Sequence, residues 1–254
     1  MKTILIGNGY WGSIVKEKLE KQTDLIGVLN SKDNIDSFLK KEVDYIFVCT
    51  PTKTHYEIVK KCIENHKNVF CEKPFTGNFF KAKELYKISE KNNTKLFVDN
   101  IFLYRNELIN IESNNFKKIK FLWNKFENLY KEDLFTTLLY HDLYLLLNIA
   151  KNTWDVDYLE IFEDKLNLKL KNKNLKAEFI YDRNYIGKKE KKIFIDDKLI
   201  DFSNPSNDPL SEIIDNLIKN NINFNENKKI TLKTIKLLNK IQNESILHTP
   251  RSIK

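Results

Sequence analysis

The sequence of 254 residues lacks long apolar runs, although apolar residues make up 41% of it. No stretch approaches the roughly 20 consecutive apolar residues that a membrane-spanning helix needs. The first apolar run, Thr3–Ile6, gives way to glycines, so it is too short for the core of a signal peptide. We therefore expect a cytoplasmic protein with a packed core and no membrane partner.

Cysteine is scarce, and the few cysteines are not arranged as ligands. Three cysteines cannot all pair, and Cys49 and Cys71 lie in or beside apolar runs that are typical of buried strands. Neither a CxxC nor an HxxxH spacing occurs, whereas zinc sites depend on closely spaced Cys and His. These features predict reduced structural thiols and no metal site.

Positive charge is abundant, with a formal net charge of +8, but it is not concentrated anywhere. The lysines are spread along the chain and mixed with Glu, Asp and Asn, and no run of five basic residues occurs. Nucleic-acid binding typically needs a basic patch, often with aromatic side chains between the basic ones. We expect no nucleic-acid partner, while the charge remains compatible with anionic small molecules.

Short apolar runs alternate with amphipathic segments over the first hundred residues. This alternation is typical of βαβ units, so it predicts a doubly wound parallel sheet covered by helices on both faces. Asn65 follows the third predicted helix, where we expect it to adopt the left-handed C-cap conformation. The predicted strands are 3–6, 25–29, 45–49, 69–71 and 96–98, and the predicted helices are 13–22, 34–41, 53–65 and 78–92.

The pattern changes after about residue 115. Leu166, Leu168 and Leu170 alternate with polar residues, which is typical of a sheet with one buried face. We predict one domain over residues 1–115 and a second, α+β domain with an open, mostly antiparallel sheet over residues 116–254. The predicted elements of this second part are strands at 116–126, 157–162, 166–171, 176–181 and 191–196 and helices at 134–149, 210–220 and 227–243.

A GxGxxG motif follows the first predicted strand directly and opens a helix. In this context the first glycine allows a tight turn, the second lets a pyrophosphate approach the backbone, and the third lets helix and strand pack closely. Free N–H groups and the helix dipole favour negative charge there. An ordinary glycine-rich turn is the alternative. The motif predicts a dinucleotide-binding Rossmann domain, with these residues at the cofactor: Gly7, Asn8, Gly9, Tyr10, Trp11 and Gly12.

The end of the second predicted strand bears on the choice between NAD(H) and NADP(H). An acidic residue about 20 positions beyond the glycine loop normally holds the ribose hydroxyls, but none stands at the expected tip. Asn30 or Ser31 can hydrogen-bond the ribose, and Lys32 can pair with a 2′-phosphate. Asp33 is close enough to weaken this argument, so the sequence leans only slightly to NADP(H).

Three further motifs follow in order: TPTKTH at 50–55, EKP at 72–74 and HDL at 141–143. With the glycine loop and the segment VDNIFLYR at 98–105, they resemble the Gfo/Idh/MocA family of NAD(P)-dependent oxidoreductases, in its sugar and nucleotide-sugar branch. The resemblance runs the full length of a chain that is short for the family. It implies a substrate and oligomerisation domain after the Rossmann domain, hence a homodimer or homotetramer. It also places these residues at the cofactor: Thr50, Pro51, His55, Glu72 and Lys73.

Oxidation of a sugar hydroxyl requires a base for its proton and a hydride acceptor facing the carbon. Lys73 ends the fourth strand, where partial burial beside a cationic nicotinamide favours the neutral amine that a base must be. His141 interrupts an apolar helix. The resemblance implies that both residues are catalytic acid/base groups and that the proline after Lys73 is commonly cis. The alternatives are a surface lysine before a turn and a core histidine satisfied by hydrogen bonds.

The chain departs from the family pattern next to this histidine. The usual aspartate four residues before it is Thr137, which cannot carry charge, and the usual small glycine is Leu139. Either Lys73 and His141 act alone, with Tyr140 as a further candidate, or catalysis has weakened. Asp142 is expected to fix the imidazole tautomer or to cap local backbone.

Two residues after the fifth strand are candidates for substrate binding, together with Lys73, Tyr140 and His141. Asn100 lies near the expected substrate side, and the planar guanidinium of Arg105 can grip a phosphate or carboxylate. A solvated arginine at a helix start is an equally good interpretation of Arg105.

These features predict hydride transfer between NAD(P) and the hydroxyl or keto carbon of a sugar or nucleotide sugar. The expected role is the synthesis of surface-polysaccharide or glycan precursors. A non-catalytic NAD(P)-binding sensor of the same fold is one alternative. A reductase for imines or non-sugar carbonyl compounds is another.

Overall fold

The computed structural model describes residues 1–30, 33–108, 111, 116–125, 133–162 and 164–248, without the side chains of 246–248. The chain divides into two compact units. The first unit consists of Met1–Tyr104 and Asp208–Ile235, and the second of Arg105–Asn207 and the chain from Lys236 onward. This division corrects the predicted single boundary between residues 115 and 116, because the first unit ends earlier and takes back a later segment.

Strands and helices alternate along the first part of the first unit. They are β1 (Lys2–Ile6), α1 (Tyr10–Gln22), β2 (Asp24–Leu29), α2 (Ile35–Leu39), β3 (Tyr45–Val48), α3 (Thr52–Glu64), β4 (Val69–Cys71), α4 (Phe79–Lys91) and β5 (Leu96–Val98). The strands form a parallel sheet in the order β2-β1-β3-β4-β5. Phe70 stacks on Phe47 and Phe97 of the two neighbouring strands, with ring centroids 4.6 and 5.5 Å apart. The predicted parallel α/β sheet is thus confirmed.

Helix α3 ends in a Schellman motif, one position beyond the predicted left-handed residue. Asn65 has φ −94°, whereas His66 has φ +56°. The N–H of Lys67 donates to the carbonyl of Cys62 at 3.0 Å, and that of His66 donates to Ile63 at 3.1 Å. In this motif the left-handed residue follows the C-cap. The prediction for Asn65 is therefore wrong by one position.

The second unit contains a six-stranded mixed sheet and the helix that packs on it. Its elements are β6 (Lys118–Asn124), α5 (Tyr140–Ile149), β7 (Asp155–Phe162), β8 (Lys165–Asn172), β9 (Leu175–Asp182), β10 (Glu190–Ile195) and β11 (Lys198–Asp201). The order is β11-β10-β6-β9-β8-β7, antiparallel except between β6 and β9. The mostly antiparallel sheet is confirmed. Strand β11 was not predicted; it pairs with β10 across a turn where Asp196 has φ +49°.

The predicted helix at 134–149 has two parts. A π-helical turn, Phe135–Leu139, precedes α5, and such turns are frequent at functional sites. Every residue of α5 except Asn148 is buried. Among the described residues, no helix is long and apolar enough to cross a membrane.

Two helices close the chain, α6 (Pro209–Ile218) and α7 (Phe224–His248). Asp208 caps α6 by accepting a hydrogen bond from the N–H of Ser211 at 3.2 Å. The first unit's core includes four residues of α6, which explains why this segment belongs to that unit: Leu210, Ile213, Ile214 and Leu217. On α7, Asn227 donates to the carbonyl of Val98 at 2.8 Å and accepts from its N–H at 2.9 Å. This side chain therefore pairs with the outer edge of β5 as a neighbouring strand would.

Candidate functional site

The glycine loop has the geometry that its sequence predicts. Gly7 has φ +97°, and a Cβ there would lie 2.5 Å from the carbonyl oxygen of Cys49. A Cβ on Gly12 would collide with the carbonyl oxygen of Gly7, whereas one on Gly9 would have no heavy atom within 4 Å. The first and third glycines are thus packing requirements, and the second leaves open space.

Helix α1 begins directly behind this open space. Gly9 is its N-cap residue, no side chain caps the helix, and no acidic residue lies in its first turn. The first N–H groups and the positive end of the helix dipole are therefore available to an anion. Tyr10 is exposed and Trp11 half-buried. This arrangement fits the pyrophosphate of a dinucleotide.

We expect two alanine substitutions in this loop to separate folding from binding. Gly12→Ala should lower the free energy of unfolding by about 1–3 kcal/mol, because the new methyl group strikes backbone. Gly9→Ala should leave stability nearly unchanged but weaken NADH binding, because its methyl group fills the open space. Thermal unfolding without cofactor and NADH titration measure the two effects. Equal melting temperatures for both variants would contradict the packing role of Gly12.

The loop after β2 brings an acidic group back to the end of the strand. The N–H of Asn30 donates to the carboxylate of Asp33 at 2.6 Å, and the N–H of Asp33 donates to the Asn30 carbonyl at 3.1 Å. Ser31 and Lys32 lie outside the described residues. The Asp33 carboxylate thus binds the backbone at the end of β2, and the choice between NAD(H) and NADP(H) stays a prediction.

His55 braces the loops that follow β3 and β4. It is buried, with Nε2 2.7 Å from the carbonyl oxygen of Thr50 and Nδ1 3.0 Å from that of Pro74. Burial lowers the pKa of His55, although both carbonyls act in the opposite direction. Pro51 is exposed and is the N-cap residue of α3. Both ring nitrogens of His55 thus face backbone, so its side chain supports the loop that carries Thr50 and Pro51.

The EKP segment is tied to the glycine loop. The Lys73–Pro74 peptide is cis, as the family resemblance implied. Glu72 is buried, and its carboxylate accepts hydrogen bonds from the indole N–H of Trp11 and, at 3.1 Å, from the backbone N–H of Lys73. Lys73 is partly exposed directly beyond these contacts. One carboxylate therefore links the two cofactor motifs of the first unit.

The two residues predicted near the substrate after β5 lie in different units. Asn100 is fully buried in the first unit and donates to the hydroxyl of Thr231 at 3.2 Å. Arg105 is 5% exposed in the second unit, pairs with Glu107 at 3.1 Å and lies 4.2 Å from the ring centroid of Phe202. The solvated interpretation of Arg105 is therefore wrong, because its guanidinium is packed inside its unit.

His141 lies on α5 in the second unit and is 7% exposed. Its Nδ1 is 3.0 Å from the hydroxyl of Tyr144, and its ring centroid is 6.0 Å from that of Trp123. Tyr140 beside it is fully buried. The hydroxyl of Thr137 donates to the carbonyl of Asp133 at 2.8 Å and accepts a hydrogen bond from Arg183. Thr137 is therefore engaged with protein groups on both sides.

Asp142 does not orient His141 in the way the sequence analysis expected. Its carboxylate pairs with Lys191 of β10 at 2.8 Å and accepts a hydrogen bond from Tyr181 of β9 at 2.8 Å. Lys191 also lies 3.5 Å above the ring of Trp123. Burial raises the pKa of Asp142, while Lys191 acts in the opposite direction. Asp142 thus anchors α5 to the sheet rather than fixing a tautomer.

Asp99, the buried acid that follows β5, was not among the predicted site residues. An acid directly after a buried strand was the available signal. Among the described residues, no group of three or more His, Cys, Asp or Glu side chains is arranged to hold a metal ion. The cysteines Cys49, Cys62 and Cys71 are all free.

Comparison with known proteins agrees with this geometry. Residues 12–100 match the NAD-binding Rossmann fold of an oxidoreductase family, Gfo/Idh/MocA. This match covers 89 of the 254 residues. The chain is 39% identical over 66 residues to an uncharacterized oxidoreductase of Schizosaccharomyces pombe, a match that covers 26% of this chain and 18% of that protein. A myo-inositol 2-dehydrogenase of Thermotoga maritima is 31% identical over 106 residues, covering 41% of this chain and 29% of that protein.

The chain matches these curated relatives over only a small part of their own length. Solved structures extend the likeness to the whole fold. The UDP-N-acetylglucosamine 3-dehydrogenase GnnA of Acidithiobacillus ferrooxidans superposes with a TM-score of 0.83 at 17% identity, covering 96% of this chain and 97% of that chain. GenD2 from gentamicin A biosynthesis, in complex with NAD, gives a TM-score of 0.83 at 12% identity, covering 97% of this chain and 94% of that chain. At these identities the likeness describes the fold alone.

Proposed function

We propose that this protein transfers a hydride between a nicotinamide dinucleotide and a hydroxyl or keto carbon of a sugar or nucleotide sugar. The observation that carries the proposal is the glycine loop, in which Gly7 and Gly12 are fixed by packing while Gly9 leaves open space before α1. The match of residues 12–100 to an NAD-binding oxidoreductase family supports it. The similarity to a myo-inositol 2-dehydrogenase favours a polyhydroxylated substrate.

The cofactor-binding residues of the proposal fall into groups with distinct tasks. The N–H groups at the start of α1 bind the pyrophosphate. Asn30, with Asp33 beside it, faces the ribose, and the exposed Tyr10 is available to flank the adenosine. The strand-end residues complete the proposed set: Thr50, Pro51, His55, Glu72 and Lys73. A bound nicotinamide supplies hydride acceptance and donation.

Two side chains carry the acid and base roles of the proposal. Lys73 takes the hydroxyl proton on its neutral amine as the carbon becomes a carbonyl, and it returns that proton in the reverse direction. His141 orients the reacting hydroxyl or exchanges a proton with it. Tyr140, Asn100 and Arg105 act on the substrate through the backbone and side chains that they support, because all three are buried. No metal takes part in this scheme.

A fluorescence titration with NADH and, separately, NADPH tests the cofactor assignment. Trp11 lies in the glycine loop, so we expect bound nicotinamide to quench its emission by energy transfer. The variant Trp11→Phe should lose the part of this signal that Trp11 contributes. Saturable binding with a preference between the two cofactors would also test the contribution of Asp33. Absence of binding by either would overturn the proposal.

A non-catalytic NAD(P)-binding sensor is the second candidate, and Thr137 is the observation that favours it. Its hydroxyl is already bonded to Asp133 and Arg183, so it brings no ionisable group toward His141. A panel containing myo-inositol, UDP-N-acetylglucosamine and simple carbonyl compounds separates the candidates. Turnover of a sugar supports the enzyme, whereas turnover of imines or simple ketones alone indicates a different reductase. Tight NADH binding without turnover, even in Thr137→Asp, supports the sensor.

We further propose that the protein works as a homodimer or homotetramer in the synthesis of glycan precursors. The family resemblance is the support for the assembly. A nucleotide sugar as substrate would support the biosynthetic role. Sedimentation and the substrate panel test these two points independently.

A further inference from the structure

Asp99 is an acid placed where a charge is hard to maintain. It directly follows β5 and is 1% exposed. Among the described residues, no well-aligned donor bonds either of its carboxylate oxygens. Burial of an ionised carboxylate without such donors is costly, so the group needs another means of stabilisation.

Glu72 lies beside Asp99 on the neighbouring strand. Strands β4 and β5 run parallel with Cys71 opposite Val98, so Glu72 and Asp99 are the next residues in the same register. The N–H of Asp99 donates to the carbonyl of Cys71 at 2.9 Å, which holds the strand ends together. The two carboxyl groups are within hydrogen-bonding reach of each other. Two carboxyl groups this close share a proton rather than both ionising.

The contacts of Glu72 indicate which partner holds the proton. Both carboxylate oxygens of Glu72 already accept hydrogen bonds, one from the indole N–H of Trp11 and the other from the backbone N–H of Lys73. Burial raises the pKa of Asp99 well above its usual range, and the charge of Glu72 raises it further. Lys73 and the N–H of Ile101 act in the opposite direction with smaller effect.

The other titratable groups near Asp99 are neutral in the physiological range. Burial raises the pKa of Tyr104 to about 12 and that of the Cys49 and Cys71 thiols well above their usual value. Lys73 is a cation that acts on Asp99, and its charge lowers the pKa of that carboxyl group.

We propose that Asp99 is a positioning residue. Its carboxyl group donates a hydrogen bond to the Glu72 carboxylate and so fixes the orientation of the carboxylate that binds Trp11 and the backbone of Lys73. The hydrogen-bonded series from Asp99 through Glu72 to Trp11 joins the ends of β4 and β5 to the glycine loop. Without the hydrogen bond from Asp99, the Glu72 side chain can rotate. Its hydrogen bond to the backbone of Lys73 then changes, and Lys73 moves. The effect of Asp99 on catalysis by Lys73 rests on the proposed function, whereas the protonation of Asp99 does not.

Protonation of Asp99 gives folding a defined pH dependence. The unfolded chain releases this proton near the ordinary Asp pKa of about 3.9, whereas the folded protein keeps it. Above that pH the folded state binds more protons than the unfolded state, so this group makes the free energy of unfolding fall as pH rises. Asp99→Asn should remove that part of the slope.

Two substitutions of Asp99 distinguish a neutral donor from a charge. Asp99→Asn keeps a donor of the same shape, whereas Asp99→Leu has none. We expect the Asn variant to bind NADH within about threefold of wild type, and the Leu variant to bind roughly tenfold more weakly. Asp24→Asn, at an exposed acid of the same unit, is the matched control and should leave binding unchanged.

Infrared difference spectra test the protonation directly. At neutral pH, wild type minus Asp99→Asn should show the carbonyl stretching band of a protonated carboxylic acid, and wild type minus Asp24→Asn should not. Glu72→Gln should shift the band, because the acceptor of the hydrogen bond from the Asp99 carboxyl group then changes from a carboxylate to an amide. This measurement needs no cofactor, so it stands even if neither NADH nor NADPH binds and the proposed function fails.

Three results would overturn the inference. The first is absence of the acid band in wild type. The second is equal loss of NADH affinity in the Asn and Leu variants, which would assign Asp99 an ionised role. The third is wild-type affinity in a folded Leu variant, which would show that Glu72 is held without Asp99. If the Leu variant fails to fold, the Asn variant and the infrared band still decide the question.

Discussion

Replacement of Lys73 by methionine should lower turnover of a sugar substrate by a factor of about 100 to 10,000 while leaving NADH affinity within a few-fold of wild type. Methionine matches the length of the lysine stem but carries no amine, so it removes the proton acceptor without opening a cavity. The backbone N–H that bonds Glu72 remains, and with it the link to Trp11. The expected loss therefore falls on kcat rather than on cofactor binding.

Steady-state kinetics with the best substrate of the panel would measure this effect. Lys73→Arg keeps the positive charge but cannot act as a base near neutral pH, so it should be nearly as inactive as Lys73→Met. Lys83→Met, at an exposed lysine on α4, is the matched control and should retain full turnover. Full activity in Lys73→Met would remove Lys73 from the mechanism.

Loss of the Lys191 charge should cost about 3–5 kcal/mol of unfolding free energy, since it leaves the Asp142 carboxylate buried without its cation. Lys191 and Asp142 are 2% and 1% exposed, and their side chains are 2.8 Å apart. In Lys191→Met the remaining hydrogen bond from Tyr181 cannot balance a full negative charge. Protonation of Asp142 then accompanies folding, so the destabilisation should grow as pH rises.

Urea unfolding would measure the loss of unfolding free energy in Lys191→Met and compare it with two further variants. Asp142→Asn combined with Lys191→Met removes both charges and should recover most of the loss, because a buried ion pair contributes little beyond mutual compensation. Lys192→Met changes the next residue of β10, whose amine pairs with Glu190 at the surface, and should change stability little. Equal destabilisation by Lys191→Met and Lys192→Met would show that the buried pair does not anchor α5.

The parts of the site that the sequence predicts are those specified by local chemistry. Gly7 and Gly12 are required by backbone that lies within a few residues or on the next strand, and EKP is a turn with its own proline. Both signals are contained in short segments, so they can be interpreted without knowledge of the fold. The mostly antiparallel second sheet was likewise predictable, because alternation along β8 is a local property.

Contacts made across long stretches of chain were not predictable in this way. Lys191 stands among neighbouring lysines in KKEKK, where a solvated surface is the natural interpretation, yet its partner Asp142 is 49 residues away. The same holds for Asp99, whose significance depends on the register between two strands. In both cases the decisive partner comes from tertiary structure, which hydrophobic periodicity does not encode.

Helix α6 and the start of α7 belong to the first unit although they come late in the chain, and this affects folding during synthesis. A ribosome makes the chain from its N-terminus, so β1 to β5 emerge long before the helices that complete their core and cover β5. Until Asn227 has been made, the outer edge of β5 has no side-chain partner for Val98. Exposed strand edges recruit other strands. The nascent Rossmann unit is therefore vulnerable to association throughout the synthesis of the second unit, and protection by chaperones matters most in that interval.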